Sequence, residues 1–250
     1  MAKKFVSATR YFRPAGQEGR CFDWIAQQLA AGATHVFVAV NEQEDGSGIL
    51  SKTSGLPENV HIFPVTPWGK FVMPLNALIS AAREQLAKPD TFMLISSVEV
   101  LITPSIVKAL FSKMGESTIA VGASLPGHTF APGTHEPANG RQVFWNTLAL
   151  HNPDYLWVTG FPIIGDGIIS DPKTAGVEEL GYLGLIRELV GGDAYLMPVP
   201  GISWDVSVLC EADLAKHEAK MAAKILRPQA QLDNLAILGC HLNPTMIHEM

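Results

Sequence analysis

The sequence predicts an α/β chain with a mostly parallel central sheet flanked by helices. Three observations lead there. THVFVAVN and TFMLISSVEV are nearly continuous apolar runs rich in β-branched residues, the composition of strands covered on both faces. Helical patterns separate such strands at short spacing through the first half of the chain, as crossover connections between parallel strands require. At 250 residues, 47% hydrophobic and 17% charged, the chain is long and apolar enough to bury one sizeable core.

Each element has its own signal. KKFVSATRYF reads as a short first strand. GRCFDWIAQQLAAG repeats apolar residues near helical spacing and stops at a glycine. NVHIFPV is a strand, and VMPLNALISAAREQLA is a helix with Pro74 in its first turn. After TFMLISSVEV, TPSIVKALFSKM is a helix with Thr103 as N-cap and Pro104 at its first position. STIAVGASL is a further strand. The rhythm then breaks at GHTFAPGTHEPANGRQ, a polar loop long enough to border a site. NTLALHNPDYLWVTG, GVEELGYLGLIRELVGG and AYLMPVPGISWDV read as helix, helix and strand. Glu211 to Leu226 is helical and Ala/Lys-based, and the last residues show no pattern.

Charge and cysteine usage exclude several classes. A net charge of −6 with no basic stripe gives no nucleic-acid partner. Cys21, Cys210 and Cys240 are odd in number and widely spaced, so they read as buried thiols of a cytoplasmic protein. No apolar run reaches the roughly 18 residues of a membrane span, so no integral membrane segment is expected. His128, His135 and His151 match no compact zinc spacing. GxGxxG and Walker A loops are absent, and so is a GxSxG elbow.

In an open parallel sheet, ligands bind beyond the carboxyl ends of the strands. The stretches to examine are Ser7 to Arg10, Asn41 to Asp45, Thr66 to Lys70 and Ser97 to Glu99. Asn41, Glu42 and Asp45 can hydrogen-bond a base edge, or simply form a polar turn. Lys70 offers a point charge to a diphosphate. Glu178 and Glu179 stand together at a helix start, where acidic residues are also favoured by the helix dipole.

The order of these pieces resembles a GT-A glycosyltransferase of the family-2 type. VFVAVNEQEDGSG stands where that family has a strand ending in acidic residues that contact the nucleobase. PLNALISAAREQLAKPDTFMLISSVEV resembles its helix leading into an Asp-x-Asp strand end, with Asn76 matching an asparagine and Leu75 replacing an arginine. WNTLALHNPDYLWVTGFP resembles a segment ending in Gly-Gly-Phe, here Thr159-Gly160-Phe161. GVEELGYLGLIRELVGGDAYLMPVPGISW resembles its acidic pair and following strand.

The resemblance implies a GT-A fold with a Rossmann-like nucleotide-binding half. That half covers about 1–125, an acceptor half about 126–210, and a helical tail 211–250. It implies transfer of a sugar from a nucleoside-diphosphate sugar to an acceptor that the residues do not name. Thr9, Asn41, Glu42, Asp45, Lys70, Asn76 and Ser97 would bind the nucleotide. Glu179, or failing that Glu178, would be the catalytic base. Asn146, Trp204 and Asp205 would lie on the acceptor side, with the loop Gly127 to Arg141 closing over the acceptor. Ser97-Val98-Glu99 replaces the Asp-x-Asp, which leaves three readings. A divalent cation, Mn²⁺ or Mg²⁺, is held by Glu99; or transfer proceeds without metal; or the domain binds a nucleotide or sugar, or serves in assembly, without catalysis.

Overall fold

The valine- and isoleucine-rich runs form inner strands of one large sheet, which has nine strands among the described residues. The computed structural model describes residues 3–12, 17–41, 46–168, 170–204 and 211–249. In chain order, the first half comprises β1 (Lys4–Tyr11), α1 (Glu18–Ala30), β2 (Val36–Asn41), α2 (Gly46–Leu50), β3 (Val60–Val65), α3 (Val72–Ala81), α4 (Arg83–Leu86), β4 (Thr91–Ser96), β5 (Val100–Leu101), α5 (Pro104–Phe111) and β6 (Thr118–Ala123). The second half comprises β7 (His135–Pro137), β8 (Leu148–His151), α6 (Pro153–Thr159), α7 (Glu178–Val190), β9 (Asp193–Met197), β10 (Ser203–Trp204), α8 (Glu211–Ala222), α9 (Leu226–Ile237) and β11 (Thr245–His248). The large sheet has the order β3-β2-β1-β4-β8-β6-β9-β11-β7; strands β1 to β4 pair in parallel, so the expected α/β class with a mostly parallel sheet is what the chain adopts.

Side-chain alternation divides the core between the two faces of the sheet. Val36, Val38 and Val40 of β2 join Trp24 and Ile25 of α1 and Leu110 of α5 on one face. Phe37 and Ala39 join Leu75 and Leu78 of α3 and Leu183 of α7 on the other. Every residue of β2 is buried, which is why its sequence lacks the polar alternation of a half-exposed strand. Thr103 caps α5, its Oγ1 accepting from the Ile106 N–H, with Pro104 at the first position.

Two expectations are corrected. NTLALHNPDYLWVTG is not one helix: Leu148–His151 forms β8, antiparallel between β4 and β6. Asn152 then caps α6, its Oδ1 accepting from the Asp154 N–H, and Pro153 opens that helix. Pairing with two neighbours outweighs the local helical pattern of so short an apolar run. The patternless last residues form β11, which pairs β9 in parallel and β7 in antiparallel sense, so the chain beyond residue 210 contributes a strand to the sheet. β7 itself arises inside the polar loop between Gly127 and Arg141.

Candidate active site

The chain runs outward from β1 to β3 and then returns to place β4 on the other side of β1. This reversal opens a crevice beyond the carboxyl ends of the strands. A cavity of about 730 Å³ lies there, reached by Phe12 after β1, Asn41 at the end of β2 and Pro67 to Phe71 after β3. Lys70, Lys173, Lys220 and Arg227 also line it. Trp68 and Phe12 give it flat apolar surface, and Arg10 lies 4.9 Å from the centroid of the Phe71 ring.

The loop after β3 is shaped by a residue far away in sequence. Phe71 stands at the N-cap of α3 and has no side-chain acceptor. Asp166 supplies one instead. Its Oδ1 accepts from the N–H groups of Phe71 and Val72, the latter at 2.7 Å, and its Oδ2 accepts from that of Lys70 at 3.2 Å. Two orphan donors of the helix start, and the Lys70 N–H just before them, are thereby satisfied by one carboxylate, whose charge also suits the positive end of α3.

Because β8 runs antiparallel to β4, its start lies at the same edge of the sheet; Ser96 faces Leu148 in the register. This brings Asn146 to the start of α7. The Asn146 backbone N–H donates to Glu179 Oε1, and its Nδ2 donates to Glu178 Oε1 at 3.3 Å. Asn146 Oδ1 is 2.9 Å from His151 Nε2, which fixes that nitrogen as the protonated one. Burial holds the His151 imidazole neutral, its pKa lowered to about 3.

Glu178 and Glu179 are 3% and 4% exposed. Burial first, and then the adjacent Glu178 charge, push Glu179 up to about 8, against the partial relief of Lys224. Burial in turn lowers Lys224 to about 8, while the two glutamates pull it upward. Among the described residues, Glu179 Oε2 has no hydrogen-bond partner. Val177, just before the pair, has φ 61°. For a β-branched residue this costs on the order of 1–3 kcal/mol, and such strain is found where neighbouring structure over-determines a site.

The remaining predicted residues fall into three groups. Asn41 and Lys70 reach the large cavity. Thr9 does not: it lies inside β1, paired in register with Val38 and 1% exposed, because the strand runs on to Tyr11. Asn76 holds the Phe161 backbone in both directions, donating from Nδ2 at 2.9 Å and accepting at Oδ1 at 2.8 Å. Glu42, Asp45 and Asp205 lie outside the described residues. Trp204 pairs with Val100 through β10 and β5 and meets Trp145 edge-on, with ring centroids 6.2 Å apart. The loop Gly127 to Arg141 is pinned rather than open: Arg141 donates to the Met221 carbonyl at 3.1 Å, and Trp145 Nε1 to that of Gly140 at 2.9 Å.

The two serines of the SSVE stretch have separate tasks. Ser96 Oγ accepts from Trp24 Nε1 at 3.1 Å, tying α1 to β4. Ser97 Oγ donates to Glu99 Oε2. A hard cation is bound by several oxygen ligands, and among the described residues no group of three or more His, Cys, Asp or Glu gathers in a way that could hold one. Glu99 lines a separate cavity of about 260 Å³ with Arg20, Asp23 and Trp24. The described residues therefore do not fit a cation site built by the protein at the SVE stretch.

Sequence reasoning missed Asp166, Lys173, Lys220, Lys224 and Arg227. A partial signal existed for the last three: their spacing of four and three residues would align basic side chains on one face of a continuous helix, although here a turn at Lys224 separates α8 from α9. It was legible only as an Ala/Lys-based tail. No helix among the described residues is long and apolar enough to cross a membrane.

Fold and site define an α/β chain with a cation-lined cavity at the carboxyl edge of its sheet and a buried acidic pair at the same edge. No protein-family model matches the sequence, and no curated protein matches it either. Among solved structures, the chain is similar to a nucleotidyl transferase from Methanothermobacter, at 13% identity over 63% of this chain and 76% of that one, with a TM-score of 0.41. It is also similar to glucosyl-3-phosphoglycerate synthase from Mycobacterium tuberculosis, a structure in complex with Mn²⁺, UDP and phosphoglyceric acid. There the identity is 15% over 89% of this chain and 77% of that one, with a TM-score of 0.48. Likeness this distant assigns no role to any residue of this chain.

Proposed function

We propose that the chain is a glycosyltransferase-like enzyme that takes a sugar from a nucleoside-diphosphate sugar and passes it to an acceptor hydroxyl. The observation that carries this reading is the pairing, at one sheet edge, of the cationic cavity with the buried Glu178-Glu179 pair. Trp68 or Phe12 provides a face for the base, and the Asn41 amide a donor and an acceptor for its edge. Lys70 and its cationic neighbours meet the diphosphate.

In the reaction, Glu179 takes the proton of the acceptor hydroxyl as that oxygen bonds to the anomeric carbon. The bond from the anomeric carbon to the diphosphate oxygen breaks, and the nucleoside diphosphate leaves with the electron pair. A carboxylate with a raised pKa is the better base for a weakly acidic hydroxyl, and Glu179 is raised by burial and Glu178. Glu178 is the runner-up for this role.

A second reading has its own support. Glu179 does not line the large cavity and is nearly sealed from solvent, as suits a domain that binds a nucleotide or sugar, or serves in assembly, without catalysis. Release of nucleoside diphosphate from a panel of activated sugars, measured beside direct binding, separates the two. Turnover that Glu179→Gln cuts by about 10²-fold or more, with binding retained, supports the enzyme. Binding with no turnover in any combination supports the binding protein.

A further inference from the structure

His151 is a polar side chain in a place that packing alone would give to an apolar one. The other residues of β8 are Leu148, Ala149 and Leu150, and the whole strand is buried between β4 and β6. Phe144, Phe161 and Tyr182 meet the imidazole edge-on, with ring centroids 5.4, 5.8 and 5.9 Å away. A phenylalanine would suit these neighbours without the cost of burying a polar ring. Among the described residues the ring has one hydrogen bond, between Nε2 and Asn146 Oδ1, and Nδ1 has no partner.

That bond sets the direction of a short relay. An ionised carboxylate can only accept, so the Asn146 amide turns Nδ2 toward Glu178 Oε1 and leaves Oδ1 for a donor. His151 is that donor, a neutral imidazole with its one proton on Nε2. The Asn146 backbone N–H meanwhile engages Glu179 Oε1, and Glu179 Oε2 is left without a partner among the described residues. Resting on the reading of Glu179 as the base, we infer that His151, acting through Asn146, is a positioning residue for that reaction. It fixes the amide so that Glu178 is held as a bound carboxylate and Glu179 Oε2 is the oxygen that takes the acceptor's proton.

The hold on Glu178 keeps its charge beside Glu179, and that charge, after burial, is what raises Glu179. Lys224, from the turn between α8 and α9, acts in the opposite sense, while Lys220 of α8 and Arg227 of α9 act on Lys224. Of the other groups on elements packed against α7, Asp154 and Tyr155 belong to α6 and Asp233 to α9. Asp166, on the 3₁₀ turn Ile163–Asp166, is engaged by the loop after β3. Releasing the amide therefore has a definite sign: Glu178 is free to turn away, and Glu179 titrates at lower pH.

Carbon-13 titration of the Glu179 carboxyl and two-bond nitrogen-15 spectra of the imidazoles test the inference in wild type, His151→Phe and His151→Gln. Phenylalanine keeps a ring and removes the donor; glutamine supplies a donor again. The wild type should show the His151 proton on Nε2 and none on Nδ1, a readout that needs no variant to fold. In His151→Phe the Glu179 titration should move to lower pH. Release of nucleoside diphosphate from UDP-, GDP-, ADP- and CDP-glucose should fall about tenfold or more in kcat, with KM for the donor little changed. His151→Gln should restore most of both. A wild-type proton on Nδ1, or an unmoved Glu179 titration in a folded His151→Phe, overturns the positioning role. Equal losses in the two variants overturn it too, because the shape of the side chain and not its donor would then be what matters. A wild type that turns over none of these sugars, with the tautomer and the titration shift as expected, overturns the base reading of Glu179 alone.

Discussion

The Lys224 ammonium lies 3.7 Å from the centroid of the Trp145 ring, and its charge is felt by the buried Glu179. A residue of the turn between α8 and α9 thus supplies the cation that offsets the acidic pair at the start of α7. Met221 of α8 packs beside the same tryptophan; a Cβ added to Gly127 would meet Met221 at 2.1 Å and Trp145 at 3.3 Å. The C-terminal helices are therefore a wall of the site.

Glu179 and Lys224 make stability depend on pH in a definite direction. Glu179 has a raised folded pKa, so its contribution is full below its ordinary value of 4.5 and is lost as pH rises to about 8. Lys224 has a lowered folded pKa, so stability returns as pH rises from about 8 through its ordinary 10.5. The urea midpoint of the wild type should pass through a minimum near pH 8. Glu179→Gln should remove the acid-side decline; a variant that follows the wild-type curve would show that Glu179 is not the group responsible.

Lys224→Met keeps a long apolar stem against Trp145 and removes the charge. Without that cation, Glu179 must rise further, because Lys224 is what lowers it. If Glu179 is the base, the ascending limb of kcat/KM against pH should move to higher pH, with activity at neutral pH reduced. A limb that stays in place contradicts either the pairing or the role of Glu179.

Asp166→Ala leaves the N–H groups of Lys70, Phe71 and Val72 without their acceptor. Loss of a helix cap of this kind costs about 1–2 kcal/mol, to be read from urea denaturation. The loop carrying Trp68 and Lys70 should also lose its shape, so nucleotide affinity should fall by more than the stability loss explains. Unchanged affinity in a folded variant would separate that loop from the donor site.

Gly140→Ala tests the docking of the C-terminal helices. A Cβ at this position would stand 1.7 Å from the Lys224 carbonyl oxygen, so the α8–α9 turn must move away. A destabilisation of about 1–3 kcal/mol is expected, together with faster proteolysis within 211–237. Wild-type stability and protection would mean that the turn moves aside without cost.

Much of the fold was legible in the residues because it depends on local composition. The continuous apolar runs of β2 and β4 reflect burial on both faces, and the Thr103-Pro104 helix start is a local hydrogen-bonding arrangement. The pairing of Glu178 and Glu179 at the start of α7 was legible for the same reason. Leu148–His151 was not, since a short apolar run becomes strand or helix according to the neighbours it finds.

By itself, then, the sequence determined the α/β class, most strand and helix positions, and the nearness of two carboxylates that share a helix start. Only the tertiary structure decided that those carboxylates are buried, that Asn146 joins them, and that Lys224 offsets them. It also decided that Asp166 shapes the loop of Lys70, and that Glu99 lines a different cavity from the cationic one. The physical reason is separation along the chain. Asp166 and Lys70 are 96 residues apart, and no local propensity or periodicity encodes a contact made by two segments only after the sheet between them has formed.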